Sequence, residues 1–296
     1  MRSLLFVPGD SERKLEKSLT SGTDVIIVDL EDSVAMGAKE TGRRITGDFL
    51  RQAKNQIAAE NGPPLFYVRI NDLRSGLADA DLQAVMEAGP DGIMLPKSES
   101  GADLQDLHSR LDVHEAEYGL PDGGTRILLV ASETAVSVFG LGSYADKSNR
   151  LAVLAWGAED LSADIGASGN RDASGRFTEP FRLVRNLCLF GAVAAQTAPI
   201  DTVYTNFRDL QGLADECRDA ERDGFTAKMA IHPAQVAVIN DIFTPSPETI
   251  ARAQRIIDAF RQSGDKGVIG LDGEMLDRPH MKRAQRTLAR AGITDP

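Results

Sequence analysis

The sequence has few cysteines that could cross-link its fold and only short apolar runs that could meet a membrane. Its 296 residues include two cysteines, Cys188 and Cys217, which are too few and too far apart for a disulfide framework or a zinc site. Free buried thiols suit a reducing compartment, so we expect a cytoplasmic protein. The longest apolar runs, such as residues 25–28, are too short to cross a bilayer, and the first residues lack the pattern of a signal peptide. We therefore expect no membrane association.

Positive charge is also scarce. The formal net charge is −11, from 33 Lys and Arg against 44 Asp and Glu. Because nonspecific nucleic-acid binding needs a basic surface, this composition argues against nucleic acid as a partner. An anionic small ligand stays compatible, since a few local cations can dominate one pocket. The sequence contains no G-x-S-x-G motif and no G-x-G-x-x-G motif after an apolar run, which argues against a serine hydrolase and a dinucleotide-binding fold.

Eight short apolar runs rich in β-branched residues recur along the chain. Near-continuous hydrophobicity is typical of parallel strands that are buried on both faces. Amphipathic stretches with helical spacing lie between the runs, for example residues 39–60, 102–117 and 210–223. Eight alternations of strand and helix predict a (β/α)8 TIM barrel, with a doubly wound open sheet as the competing fold. The eight predicted strands are Ser3–Pro8, Val25–Leu30, Leu65–Ile70, Gly92–Pro96, Ile127–Ala131, Ala152–Trp156, Thr202–Thr205 and Ala227–Ile231.

The last part of the chain has a different pattern. Two prolines, Pro245 and Pro247, follow the eighth run, and two helical stretches then flank a glycine-containing segment at residues 264–273. We predict a barrel over residues 1–244 and a helical extension over 245–296 that packs over a barrel mouth, its own or a neighbour's. The long Gly-, Ser- and Asp-rich stretch at residues 162–180 is predicted to be an active-site lid.

Charged residues gather where the predicted strands end. The active site of a βα barrel lies at the carboxyl ends of its strands, so these side chains should converge on one mouth. Converging carboxylates need a cation to relieve their repulsion, and hard oxygen ligands select Mg2+. The sequence therefore predicts a magnesium site. The residues at these strand ends are Pro8, Gly9, Asp29, Glu31, Asp32, Arg69, Lys97, Glu133 and Asp160.

Each of these residues also has a purely structural interpretation. Glu133 could be a helix-start acid that the helix dipole favours, and Asp160 could be a helix N-cap. Arg69 and Lys97 could be ion-pair partners on the barrel rim. The three acids after the second run could include an N-cap and groups that only support the metal ligands.

The order of these motifs resembles the citrate lyase beta-subunit-like branch of the HpcH/HpaI aldolase family. A single motif carries little information, but eight in register over the whole chain are specific. The motifs span residues 2–10, 29–34, 68–71, 95–97, 133–134, 157–161, 231–235 and 273–279.

The resemblance implies a role for several residues. It makes Glu133 and Asp160 the Mg2+ ligands and Arg69 the group that binds the thioester oxygen of the substrate. Asp277, in the tail motif, corresponds to an aspartate that reaches the active site of an adjacent subunit in malyl-CoA and citramalyl-CoA lyases. Pro8, Gly9 and Lys97 are expected to contact the substrate, with Asp29, Glu31 and Asp32 behind the metal ligands. Cations at Arg13, Lys14 and Lys17 are placed for CoA phosphates, although a solvated helix face explains them equally well.

The resemblance therefore implies a carbon–carbon lyase that cleaves a hydroxyacyl thioester, such as malyl-CoA, citramalyl-CoA or a citryl thioester, and that forms a homotrimer or homohexamer. Several alternatives stay open. The chain could be the beta subunit of a citrate lyase complex that acts on citryl bound to an acyl carrier. It could be a malyl-CoA thioesterase, or a binding protein without catalytic activity. A metal-dependent aldolase for free hydroxy-oxo acids is disfavoured, because Glu31-Asp32 stands where that branch has Glu-His.

Overall fold

A computed structural model of the protein describes residues 1–56, 64–264 and 267–293. Eight parallel strands close into a barrel in chain order, with the eighth strand paired to the first. This arrangement confirms the predicted (β/α)8 fold and excludes the open sheet. The strands are β1 Ser3–Pro8, β2 Val25–Asp29, β3 Leu65–Arg69, β4 Gly92–Leu95, β5 Arg126–Val130, β6 Leu151–Ala155, β7 Ala198–Asp201 and β8 Ala227–Ala230.

Helices follow the strands and cover the outside of the barrel. The helix predicted over residues 39–60 is found as α2, and residues 57–60 of that prediction lie outside the described part of the chain. Within the described ranges no helix is long and apolar enough to cross a membrane. The helices are α1 Glu12–Ser18, α2 Lys39–Gln56, α3 Ala78–Val85, α4 Gly101–Tyr118, α5 Ala135–Gly140, α6 Ala158–Asp164, α7 Glu179–Ala194, α8 Leu210–Asp223 and α9 Pro233–Phe243.

The strands are apolar on both faces because both faces are buried. In β2, Val25 and Ile27 belong to the cluster that fills the barrel, while Ile26 and Val28 are also fully buried. Successive side chains of a strand point to opposite faces, so the second pair packs outside the barrel, under the helices. This two-sided burial explains the near-continuous hydrophobic runs of the sequence.

The register of the strands brings the predicted site residues to one end of the barrel. Pro8, the last residue of β1, is level with Asp29 of β2, and Asp29 is level with Arg69 of β3. Val130 and Ala155, the last residues of β5 and β6, are also paired. The segments that carry Glu133 and Asp160 therefore start from neighbouring positions at the same mouth.

The chain divides into two compact units, residues 1–240 and 241–296. The second unit contains α10 Pro247–Gln262, β9 Val268–Leu271, β10 Glu274–Asp277 and α11 Arg278–Arg290. Apolar side chains of α10 and α11, including Ile257 and Leu288, form a core of their own. The packing of this extension over a barrel mouth stays a prediction.

Sequence analysis missed the hairpin formed by β9 and β10, in which Val268 pairs with Asp277. The sequence signal for this hairpin is the pair Asp272-Gly273. Both residues have a positive φ in the structure, at 52° and 81°. An Asp-Gly pair that turns between two antiparallel strands is the usual sequence of a tight hairpin.

Candidate active site

The carboxyl ends of the strands surround a cavity of about 410 Å³ at the barrel mouth. Pro8, Asp29, Asp32, Arg69, Glu133 and Asp160 all line it, so the structure brings six of the predicted site residues together. A larger cavity of about 770 Å³ lies outside the barrel between α7 and α8. Several of its charged residues are joined in ion pairs, for example Arg185 with Asp223 and Arg222 with Asp219. We place the site at the mouth, because the strand ends converge there.

Arg69 is the most firmly held cation of the mouth. Its Nε and Nη2 donate to the two oxygens of Asp29, at 2.7 and 2.6 Å, and its Nη1 lies 2.9 Å from Glu31 Oε2. Burial alone would lower the pKa of Arg69, but Asp29 and Glu31 raise it, so the guanidinium stays charged. Both Nη atoms keep an N–H that a ligand in the cavity can accept. The two acids thus fix the direction of a permanent positive charge.

Lys97 connects the acids of the mouth. Its Nζ donates to Glu31 and lies 3.4 Å from Asp160 Oδ1, and its backbone N–H donates to Glu133 Oε2 at 2.5 Å. Lys97 has a φ of 51°, which a residue with a side chain adopts rarely and which clusters at functional sites. The unusual backbone turns the N–H of Lys97 toward Glu133 while its side chain reaches the other two acids.

Glu133 is a buried carboxyl with too little positive charge around it. Burial, together with the charges of Asp160 and Glu31, raises its pKa to about 8, and the bond from Lys97 N only partly opposes this. Gly157 makes room for the side chain, because a Cβ at that position would lie 2.6 Å from Glu133 Cγ. Glu133 is not in the first turn of a helix, since α5 begins at Ala135 with Thr134 as its N-cap.

Asp160 lies in the first turn of α6, and the N-cap of that helix is Gly157, so Asp160 is not an N-cap. Its carboxylate is a third exposed, whereas that of Glu133 is buried. The charge of Asp160 disfavours the ionisation of Glu133, and a hard divalent cation between two such carboxylates would relieve this repulsion. The donor set therefore agrees with a magnesium site. Asp29 is not available for this role because Arg69 occupies both of its oxygens.

Four of the predicted contacts, Gly9, Arg13, Lys14 and Lys17, do not line the cavity. Gly9 is closely packed, because a Cβ there would lie 2.7 Å from Thr46 Oγ1 and 2.9 Å from the carbonyl oxygen of Asp29. Arg13, Lys14 and Lys17 lie on the exposed face of α1. Asp32 is exposed and lies 3.5 Å from Lys97 Nζ.

The segment predicted as a lid, residues 162–180, starts within α6 and ends at the beginning of α7. It folds back on itself through a bridge between Arg171 and Phe177, and the guanidinium of Arg171 lies 3.8 Å from the centre of the Phe177 ring. Asn170 donates to Glu159 of the cavity lining at 2.8 Å. The segment is therefore tied to the mouth, and its function as a lid stays a prediction.

Asp277 lies in the second unit and is the N-cap of α11, in a capping box with His280. His280 Nδ1 lies 2.5 Å from Asp277 Oδ1, and this bond lowers the pKa of Asp277. The carboxyl is about half exposed. A carboxyl in hydrogen-bond contact with an imidazole has the chemistry of a proton-transfer group. Sequence analysis overlooked His280, although its spacing of three residues from Asp277 is that of a capping box.

Lys39 is a second residue that sequence analysis overlooked. Its buried Nζ donates to the carbonyl oxygens of Leu30 and Glu31, at 2.7 and 2.8 Å, and to Asn71 Oδ1 at 2.8 Å. A lysine at the first residue of a helix is disfavoured by the helix dipole, and this was the available signal. The ammonium holds the backbone that carries Glu31.

Another acidic group, formed by Asp112, Glu115 and Asp122, has a spacing that could hold a metal ion. It lies at the opposite end of the barrel, where Glu115 also accepts the backbone N–H of Thr125, just before β5. Arg150 is buried among these acids and donates to Glu115 at 2.6 and 2.7 Å and to Asp112 at 2.5 Å. A cation already occupies the centre of this group, so we assign no metal to it.

Comparison with known proteins finds relatives along nearly the whole chain. Residues 2–233 match the family model described as HpcH/HpaI aldolase/citrate lyase. The chain is 33% identical to the citrate lyase subunit beta of Leuconostoc mesenteroides subsp. cremoris, over 97% of this chain and 92% of that protein. It is 34% identical to the mitochondrial citramalyl-CoA lyase of Rattus norvegicus, over 98% and 86%. It is 35% identical to a (3S)-malyl-CoA thioesterase of Cereibacter sphaeroides, over 98% and 94%.

The fold also resembles that of solved proteins. The chain superposes on the protein CitE of Mycobacterium tuberculosis, solved in complex with magnesium, acetoacetate and coenzyme A, with a TM-score of 0.75. The two are 31% identical, and the match covers 98% of each chain. This likeness extends over both units of the chain.

Proposed function

The chain belongs to the HpcH/HpaI aldolase/citrate lyase family, and on that premise we propose that it is a Mg2+-dependent carbon–carbon lyase acting on a hydroxyacyl thioester. The substrate carries a hydroxyl and a carboxylate on the carbon that is released as an oxo-acid, and the other product is an acetyl thioester. The observation that carries the proposal is the placement of Glu133, Asp160 and a fixed guanidinium in one cavity. CoA is the proposed thiol, with Arg13 and Lys17 near its phosphates.

Glu133 and Asp160 are the residues that would hold Mg2+. Magnesium held there would supply Lewis-acid chemistry that lowers the pKa of the substrate hydroxyl. Glu31, Asp32 and Asp29 do not bind the ion in this proposal. They position Arg69 and Lys97, whose charges offset those of the ligands.

Arg69 stabilises the charge that develops as the carbon–carbon bond breaks. In retro-Claisen cleavage the hydroxyl loses its proton, its carbon becomes the carbonyl of the oxo-acid, and the bonding electrons move into a thioester enolate. The enolate oxygen needs a positive group that is already in place, because reorganisation during the reaction would cost free energy. Asp29 and Glu31 hold the guanidinium in advance, and its remaining N–H groups are free for that oxygen.

The enolate carbon must then gain a proton, which balances the proton lost by the hydroxyl. We assign this proton transfer to Asp277 of a neighbouring copy in a homotrimer or homohexamer. The contact between His280 and Asp277 supports this role, because a carboxyl beside an imidazole can exchange a proton with it. Self-association is supported by apolar side chains exposed on the outer helices, including Phe139 of α5, which is 92% exposed, and Leu183 and Phe190 of α7.

A mass-spectrometric assay with Mg2+ and either malyl-CoA or citramalyl-CoA tests the activity. Formation of acetyl-CoA with glyoxylate or pyruvate, lost with EDTA and in Asp160→Asn, is the expected result. The control is Asp164→Asn, which removes a charge from the same helix outside the cavity lining. Free CoA with intact malate would instead identify a thioesterase, the activity named for the Cereibacter relative. Turnover of carrier-bound citryl alone would identify a citrate lyase subunit.

Mixing two inactive variants tests the shared site. Asp160→Asn and Asp277→Asn each inactivate the homo-oligomer, but mixed oligomers contain sites with both native residues. Partial recovery of activity on mixing after subunit exchange is expected. If the mixture stays inactive while size-exclusion chromatography shows mixed oligomers, Asp277 does not act in a neighbouring site.

A further inference from the structure

The mouth cavity has an apolar side and a charged side. The apolar side comes from β1, β8 and the end of β7, which are neighbours in the closed barrel. It is formed by Phe6, Val203, Met229 and Ile231. Met229 belongs to the cluster that fills the barrel, and Phe6 and Val203 pack against that cluster. This wall is therefore the upper surface of the hydrophobic core.

The charged side carries an excess of acid. Among the described residues that line the cavity, the one cationic side chain is Arg69, and the five acidic ones are Asp29, Asp32, Glu133, Glu159 and Asp160. Arg69 is already paired with Asp29 and Glu31. Lys97 is bound to Glu31 and lies close to Asp160, so its charge is matched as well. A divalent cation would not reverse this negative balance.

The candidate substrates differ in the number of carboxylates that this cavity must accept. Malyl and citramalyl thioesters have one, which chelates the metal, and their hydroxyl-bearing carbon otherwise carries hydrogen or a methyl group. A citryl thioester has a second carboxylate on a CH2 arm. The described residues that line the cavity offer this arm acids, the wall of Phe6, Val203 and Met229, or the uncharged side chains of Ser33 and Thr202. An unpaired charge in such a place costs several kcal/mol.

We infer that the mouth selects thioesters whose hydroxyl-bearing carbon carries hydrogen or a small alkyl group and rejects those with a second carboxylate. The inference rests on the proposed lyase function and narrows its substrate class. The wall of Val203 and Met229 receives the alkyl group, and its lack of a cation excludes the carboxymethyl arm.

Steady-state kinetics of the wild-type homo-oligomer with malyl-CoA, citramalyl-CoA and citryl-CoA test the inference directly. The value of kcat/KM for citryl-CoA should be about 100-fold or more below that of the better of the other two. Turnover of citryl-CoA within about threefold of that substrate overturns the inference and leaves the lyase function intact.

A binding measurement separates this inference from the lyase function itself. Pyruvate and oxaloacetate, the oxo-acids released from citramalyl and citryl thioesters, differ by one carboxylate. Calorimetric titration in the presence of Mg2+ should show pyruvate binding about tenfold or more tightly than oxaloacetate. Equal or tighter binding of oxaloacetate overturns the inference whether or not any thioester is turned over.

Substitutions in the apolar wall provide the matched variants. Val203→Lys adds a cation at the partly exposed end of this wall, and Val203→Met adds length without charge. The lysine variant should raise the preference for citryl-CoA over citramalyl-CoA about tenfold or more, while the methionine variant leaves it within about threefold. If Val203→Lys fails to fold, Ile231→Lys and Ile231→Met make the same comparison at a more exposed position. An unchanged preference in the folded lysine variant contradicts the inference.

Discussion

The two ends of the barrel each hold a group of carboxylates around a buried arginine, yet the two groups have opposite electrostatics. At the base, Arg150 occupies the centre of the acids. Glu115 accepts hydrogen bonds from Arg150 and from the backbone N–H groups of Thr125 and Gly123, and these bonds lower its pKa to about 2 against the effect of burial. At the mouth, the charge of Arg69 is directed to Asp29, and burial with neighbouring acids raises the pKa of Glu133 to about 8. A group of acids whose negative charge is matched stabilises the fold, whereas a group with unmatched negative charge can bind a cation.

The largest expected difference between the two ends is in activity. Glu133→Gln keeps the shape of the side chain but removes a metal ligand, so kcat/KM should fall on the order of 10⁴-fold. The same change at the base, Glu115→Gln, should leave kcat/KM of the folded enzyme within about threefold. Steady-state assays at saturating Mg2+ measure both. Comparable losses in the two variants would show that the mouth has no special role.

The metal-free protein should lose stability as the pH rises through the range that Glu133 titrates. The pKa of Glu133 is raised from 4.5 to about 8 on folding, so its contribution is fully present below pH 4.5 and is lost as the pH rises toward 8. The shift corresponds to roughly 5 kcal/mol of unfolding free energy. Denaturant unfolding in EDTA from pH 5 to 9 measures it, and Glu133→Gln should flatten the profile. An equally steep profile in that variant would assign the loss to other groups.

The base should show the reverse pH dependence. The pKa of Glu115 is lowered from 4.5 to about 2, so its contribution is present above pH 4.5 and is lost as the pH falls toward 2. That contribution is roughly 3 kcal/mol. Unfolding curves of the wild type and Glu115→Gln should therefore converge in acid and diverge near neutral pH. Curves that stay parallel would mean that Glu115 is not the titrating group.

The smallest expected effect concerns the space beside Glu133. In Gly157→Ala the new Cβ would lie 2.6 Å from Glu133 Cγ, so the carboxyl must move. We expect kcat/KM to fall about tenfold and the unfolding free energy to fall by about 1–3 kcal/mol. Gly142→Ala, where a Cβ meets nothing within 4 Å, is the control and should change neither quantity by a measurable amount. Full activity in Gly157→Ala would show that the position of Glu133 is not critical.

Much of the fold could be predicted because strand burial and strand period leave a strong local signal. The run predicted over residues 25–30 is β2 over Val25–Asp29, and the helix predicted over 210–223 is α8 with the same bounds. The seventh strand was wrongly predicted over Thr202–Thr205, because β7 covers Ala198–Asp201, directly before that run. The turn of the β9–β10 hairpin has an equally local signal in Asp272-Gly273, and it was missed because the segment is short and only partly apolar. The chain divides into its two compact units at residue 240, whereas the boundary was predicted at residue 244.

The residues that gather at the mouth could be predicted from the sequence, but the ion pairs among them could not. Arg69, Glu133 and Asp160 follow strands, and parallel strands in a barrel end at one mouth. Nothing in the sequence shows that Arg69 takes Asp29 rather than Asp160 as its partner, since the two acids are equivalent in chemistry. The sequence likewise does not show the partners of Lys39, because two of its three acceptors are backbone carbonyls, which every residue has.

The sequence by itself determined the barrel, its order of strands and the set of acids and cations at its mouth. The period of hydrophobic residues and the order of the strands are both visible along the chain, without knowledge of distant contacts. Only the tertiary structure decided which acids are neutralised and which are not. Charge matching depends on distances of a few ångströms between side chains far apart in the chain, as between Arg69 and Asp29 or Arg150 and Glu115. Those distances separate the incompletely neutralised acids of the mouth from an acidic group whose centre a guanidinium already occupies.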